Sequence, residues 1–150
     1  MKHLALAAAM ALPLTAITAP ASAAPLCDKF GFAGLLAKCN VGEDIELTLG
    51  AGKPLAEGPI TLESGAYYEM IITSDGSQEL AVAGADFFRA IWMDEIVINE
   101  IEIRPMAVDS FEFDAAGELE LGFIAIKPGR YELAIPGARG DSQRVKIQIK

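Results

Sequence analysis

Residues 111–135 read FEFDAAGELELGFIAIKPGRYELAI. Phe111 and Phe113 alternate with acids, and Ala115-Ala116-Gly117 makes a turn. Leu119, Leu121 and Phe123 alternate again, and Lys127-Pro128-Gly129 breaks the chain before Tyr131 to Ile135. A period of two between Gly/Pro turns predicts β-strands with one dry and one wet face. The same grammar extends in both directions. Upstream, Ile45, Leu47 and Leu49 alternate with Glu46 and Thr48, Gly50 to Pro54 turns, and Ile60 and Leu62 alternate after it. Tyr67 to Thr73 is rich in aromatic and β-branched residues and is closed by Ser74-Asp75-Gly76-Ser77. The run from Glu95 to Arg104 changes its inward phase near Asn99-Glu100, which suggests a bulge or a strand changing sheets. Downstream, Val145, Ile147 and Ile149 alternate with Lys146, Gln148 and Lys150. Seven or eight strands result, and the fold class is all-β, a sandwich. Ala85 to Met93, with Phe87, Phe88, Ile91 and Trp92, reads as a short helical excursion. There is no internal repeat and no sign of a second domain.

The first 23 residues read differently. Met1-Lys2-His3 is basic, Leu4 to Ile17 is apolar, and Ala21-Ser22-Ala23 has the small-x-small pattern of a signal-peptidase site. We therefore expect a signal peptide over residues 1–23, export to the periplasm, and no transmembrane segment after cleavage. Removing 23 of the 150 residues leaves 127, and losing Lys2 moves the formal net charge from -9 to -10. The single histidine, His3, goes with the signal. A mature chain without imidazole excludes a Ser-His-Asp or Cys-His nucleophile, a His-ligated zinc and a histidine base. Its acidity argues against nucleic acid or anionic lipid as partner.

Cys27 and Cys39 are the only cysteines. In an oxidising compartment such a pair predicts a disulfide, here stapling an N-terminal segment, residues 24–42, to the sandwich of residues 43–150. The spacing fits neither a CxxC redox motif nor a thiolate metal site.

The order of elements resembles the cupredoxins. The stretch from Glu63 to Gly76, with its acid, glycine, apolar strand and polar turn, is similar to that family, as are Phe111 to Phe113, Leu119 to Ile126 and the Pro128-Gly129-Arg130-Tyr131 turn. The resemblance covers roughly residues 43–150 and implies a cupredoxin-like Greek-key β-sandwich. It places the family's first copper histidine near Glu79, its cysteine near Ile135, and its second histidine and methionine within residues 137–143. None of these positions holds His, Cys or Met. Blue copper requires a thiolate and two imidazoles, so the resemblance is to a cupredoxin-like domain without type 1 copper.

The candidate binding residues are Phe87, Phe88, Arg89, Trp92, Arg139 and Asp141. Trp, Phe, Met and Arg are favoured at interface cores, so Phe87 to Met93 either plugs one end of the sandwich or anchors a partner. The family's site location adds the loop from Pro136 to Asp141. The candidate metal ligands are Met106, a soft thioether after Arg104-Pro105, with the carboxylates Glu79 and Asp109. Met70 and Met93 read as core. No cofactor follows from the residues themselves; copper and iron are the candidates. A pair such as Asp109 and Asp114 leaves a hydrolase formally open. Arg139-Gly140-Asp141 reads as an exposed turn, and Gly50-x-Gly52-Lys53 lacks the Ser/Thr of a phosphate loop. The expected function is a non-enzymatic accessory or binding role with an exported protein partner in a metal-handling or redox system. The alternative is a metal carrier using carboxylates and methionine.

Overall fold

Alternating sequences need a partner sheet to dry one face, and two such sheets pack face to face in this protein. The computed structural model describes residues 26–27 and 31–150, so the expected signal peptide lies outside the described residues. The strands are β1 (Ile45–Leu49), β2 (Ile60–Leu62), β3 (Tyr67–Ser74), β4 (Leu80–Ala83), β5 (Ile91–Ile98), β6 (Ile101–Ile103), β7 (Ser110–Phe113), β8 (Gly117–Ala125), β9 (Gly129–Ala134) and β10 (Arg144–Ile149). One sheet has the order β1-β3-β8-β5-β6 and the other β2-β10-β9-β4-β7. β1 with β3 and β2 with β10 are parallel, the other pairs antiparallel, as crossovers between the two layers require. The expected two-layer, all-β architecture is observed.

Ten strands are present among the described residues because one expected strand is divided and Leu80–Ala83 forms a further one. The run from Glu95 to Arg104 is a hairpin: Asn99 and Glu100 both take positive φ, 50° and 64°, the signature of a two-residue type I′ turn. The expected bulge or sheet change there is thus corrected. The register does shift in β5, but between Met93 and Glu95. The helical excursion is also shorter than expected: α1 spans only Ala85–Phe88, and Ile91 to Met93 already belong to β5.

The core lies between the sheets. Met70, Ile72, Leu121, Phe123, Leu133 and Ile147 are fully buried, each at an alternate position of its strand. The turn Lys127-Pro128-Gly129 is closed by Tyr131, whose hydroxyl donates to the Lys127 carbonyl at 2.8 Å. A Cβ at Gly129 would lie 2.7 Å from that hydroxyl, so a larger residue there would have to push the Tyr131 ring aside.

The Cys27–Cys39 disulfide forms as expected. Next to it, Asn40 is fully buried and performs a role that composition did not reveal. Its Nδ2 donates to the carbonyls of Leu35 and Gly65, both at 2.8 Å, and its Oδ1 accepts the Leu26 N–H at 3.1 Å. One amide thereby ties the N-terminal segment to the turn before β3. Leaving buried partners unsatisfied costs about 1–3 kcal/mol per group. Asn40→Leu should therefore lower stability by about 2–4 kcal/mol, read as a shift in urea midpoint with the disulfide intact.

Candidate functional site

The strand register sorts the loops onto two opposite ends of the sandwich. Ala83 pairs with Ala134, and extending that antiparallel register brings Glu79 toward the loop that joins β9 to β10. That loop turns back through Ala138 N–H to Ile135 carbonyl, and its Ser142 carbonyl accepts the Leu55 N–H at 2.7 Å. Arg139 and Asp141 are exposed on it, while Ile135 is buried. At the other end lie α1, the β8–β9 turn and the disulfide segment. The N–H groups of Ile126 and Lys127 both donate to the Ala90 carbonyl. The two loops expected to form one surface, Phe87 to Met93 and Pro136 to Asp141, are therefore at opposite ends.

Burial divides the aromatic segment as well. Phe87 is 0% and Phe88 4% exposed. Phe87 packs edge-on against Phe123 at 5.7 Å and against Tyr131 at 6.3 Å, and Phe88 against Phe111 at 5.6 Å. They plug the sandwich and are removed from the binding candidates, a correction that follows from the turn of helix aiming both rings inward. Arg89 and Trp92 remain outside. Trp92 is directed outward by alternation in β5: its cross-strand neighbour is Ile124, itself beside Tyr67 on the same face.

Trp92 stands at a cleft of about 570 Å³ lined also by Arg89, Ile91, Met93, Met106 and Asp109. The β6–β7 connection forms its second wall. Met106 is fully exposed there and Trp92 is 47% exposed. The cleft brings together two of the three expected metal ligands, Met106 and Asp109, and is lined also by Met93, which packs against the core as expected. Glu79 is not with them. Leu80 pairs with Phe113, whereas the Gly84 N–H meets the Asp109 carbonyl. Glu79 and Asp109 are thus five residues apart along the ladder, roughly 16 Å. Asp114 follows Phe113 at the Glu79 end, so the Asp109/Asp114 carboxylate pair is likewise separated. No group of three or more His, Cys, Asp or Glu poised for a metal occurs among the described residues.

Electrostatics are concentrated on the outer face of the β1-β3-β8-β5-β6 sheet. Glu69 has its pKa raised from 4.5 by partial burial and by Glu120, with which it shares a side-chain hydrogen bond, then by Asp44 and Glu95. Tyr67 is pushed up to about 12 by burial and by the charges of Asp94, Glu95 and Glu69. Arg104 is the counterweight, reaching Glu95 at 2.6 Å, Glu102 at 2.9 Å and Asp94 at 3.4 Å. At the opposite end Asp75, held by Lys53 at 2.8 Å and by Ser77, lies far below the ordinary carboxylate range. Cross-strand acids on one face were legible in the alternation of β3 and β8; their pairing needed the register.

No protein-family model matches the chain, and no curated protein sequence does. Solved structures do. A blue copper oxidase from Nitrosomonas europaea aligns at 11% identity over 73% of this chain and 44% of its own, with a TM-score of 0.53. A multicopper oxidase from Campylobacter jejuni, a metallo-oxidase, aligns at 8% identity over 73% of this chain and 30% of its own, with a TM-score of 0.50. A further multicopper oxidase aligns at 5% identity over 72% of this chain and 44% of its own, TM-score 0.52. The chain spans less than half the length of each. At such identities the likeness is one of architecture, and the fold is a cupredoxin-like Greek-key β-sandwich.

Burial and charge give separable expectations here. Phe87→Ala should cost about 3–5 kcal/mol, and Trp92→Ala under about 0.5 kcal/mol, in parallel urea titrations. The Glu69 pKa is raised on folding, so its charged form destabilises the fold as pH rises above 4.5. Glu69→Gln should accordingly raise the melting temperature at pH 7, and the gain should vanish near pH 4.

Proposed function

We propose that this protein is an exported, periplasmic, non-enzymatic binding or accessory domain of cupredoxin type, without a blue copper centre, serving a metal-handling or redox system. The observation that carries this reading is the cleft at one end of the sandwich, where Trp92 and Met106 stand exposed on an otherwise acidic molecule. An aromatic and a flexible thioether on opposite walls are the side chains that anchor a protein partner. The donor set supports the absence of type 1 copper. Glu79, Ile135 and residues 137–143 offer no thiolate or imidazole, and both cysteines are joined to each other at the opposite end. Arg139 and Asp141 form a separate surface at the Glu79 end, independent of the cleft.

A second reading is favoured by one observation: Met93 and Met106 line the same cleft, with Asp109 beside them. Two thioethers suit a soft cation such as Cu(I), and the carboxylate would supply charge. In that case the protein is a metal carrier, with iron or a hard cation the less suited cargo.

Trp92 is the sole tryptophan, so its fluorescence reports on the cleft directly. Protein expressed from the full-length sequence would be titrated with Ag⁺, a redox-inert stand-in for Cu(I), alongside elemental analysis of the protein as purified. Quenching that saturates at one equivalent and is lost in Met106→Leu is the outcome of the carrier reading. The binding reading expects no such saturation, and photo-crosslinking in cells from position 106 should give a discrete protein adduct that position 139 does not. Absence of both results would overturn the assignment of the cleft.

A further inference from the structure

β6 is the last strand of its sheet, and all three of its residues are exposed, Ile101 at 64% and Ile103 at 44%. Free edges in soluble proteins are ordinarily blunted by short length, lysine, proline, bulges or inward charge. β6 is short, three residues, but it holds no lysine, proline, bulge or inward charge; its single charge, Glu102, points to the outer face with its pair Val97. The hydrogen-bonding parity of the edge follows from the turn. In the type I′ hairpin the Ile101 N–H turns toward Ile98, and Ile103 likewise faces Ile96. The unpaired N–H and C=O groups are thus those of Glu102 and, two residues on, Arg104. Pro105 lacks an N–H at a position that would point back toward β5, where the free edge does not need it.

We propose that two copies of this protein join antiparallel along β6, about a two-fold axis through Ile103, making one continuous ten-stranded sheet. Parity and charge select this register. A two-fold between residues would oppose outward-facing and inward-facing backbone groups. A two-fold through Glu102 sets two carboxylates face to face and draws the left-handed Glu100 into the ladder, and one through Arg104 opposes two guanidinium groups. Centred on Ile103, each Glu102 exchanges both backbone hydrogen bonds with Arg104 of the partner subunit. Their side chains meet on the outer face with opposite charge. On the inner face Ile103 meets Ile103 of the partner subunit, and Ile101 meets Pro105 of the partner subunit, which covers the exposed isoleucines. Arg104 is already aligned by Glu95 and Glu102 of its own chain, so little ordering remains to be done.

The register makes the test specific. In the full-length-expressed protein the native cysteines are paired to each other, leaving an introduced thiol as the sole reactive one. Across a non-hydrogen-bonded pair the Cα atoms lie about 4.5 Å apart, within disulfide range. Ile103→Cys should therefore give a covalent dimer on mild oxidation. Ile101→Cys should not, its two copies being offset by four residues, about 13 Å. By sedimentation, Glu102→Arg and Arg104→Glu should each weaken the dimer about tenfold or more, while an equimolar mixture of the two restores it, because each mixed pair is again Arg against Glu. That recovery also shows that both variants fold. A protein that sediments as a monomer at millimolar concentration, equal crosslinking at 101 and 103, or no recovery on mixing would overturn the proposal.

Discussion

Antiparallel pairing of β3 with β8 is the contact on which the rest of the molecule depends. Eight consecutive residue pairs, from Tyr67–Ile124 to Ser74–Gly117, hold the two central strands in one register. That register sets Tyr68 against Phe123, Met70 against Leu121 and Ile72 against Leu119 on the side facing the second sheet. A slip of one residue would turn the three core side chains of one strand to water and bring either Glu69 or Glu118 and Glu120 into the core. The hydrophobic gain of the inner face therefore compels the carboxylates to share the outer one. The raised pKa of Glu69 and the shared hydrogen bond with Glu120 record that compulsion, and Arg104 relieves it from the side of β6. Gly122 belongs to the same accommodation: a Cβ there would collide with the Tyr67 hydroxyl, which lies across the strand near Glu95.

Once the register is set, the ends of the sandwich follow. The chain must leave each strand at one end or the other, and Ala83–Ala134 sends α1 and the β9–β10 loop apart. At the α1 end Phe87 and Phe88 close the core from a single turn of helix. The N-terminal segment covers the same end through Asn40 and the disulfide. The surface left open there is the cleft bounded by Trp92 and Met106. Its position is thus a by-product of how the core closes.

Most of the strands, their dry faces and the disulfide were legible in the sequence because each is announced locally, by period two, by Gly/Pro turns and by an isolated cysteine pair; Leu80–Ala83, four residues without a flanking polar alternation, was not. The ends were not. Whether Phe87 and Arg139 are neighbours depends on pairings 50 residues apart in sequence, and no local pattern carries that information. The split between Phe87, Phe88 and Trp92 was hidden for a related reason. Helix geometry ends at Phe88 and strand geometry begins at Ile91, so rings in one apolar run take opposite directions. The Asn99-Glu100 turn escaped notice because it lacks the glycine that usually marks a left-handed pair. Asn40 left no trace at all in composition; its value lies in three hydrogen bonds to distant backbone.

Acidity and stickiness are kept apart on this molecule, and the separation constrains what can bind it. The outer face of the β1-β3-β8-β5-β6 sheet carries acids in neighbouring strands, which repel one another and any second acidic surface. Apolar exposure lies partly beside those acids, at Trp92, along β6 and at Met106, and partly on the N-terminal segment at Leu26, Leu35, Leu36 and Val41. Pro105 links β6 to the cleft: it ends β6 and starts the connection that walls the cleft. A partner seated in the cleft and a second copy seated on the β6 edge would therefore approach adjoining surfaces, with Arg104 between them, paired with Asp94, Glu95 and Glu102. Any contact that draws Arg104 away from Glu95 exposes a row of carboxylates to mutual repulsion. A surface that brings its own opposite charge to each half of the Glu102–Arg104 pair would avoid that cost.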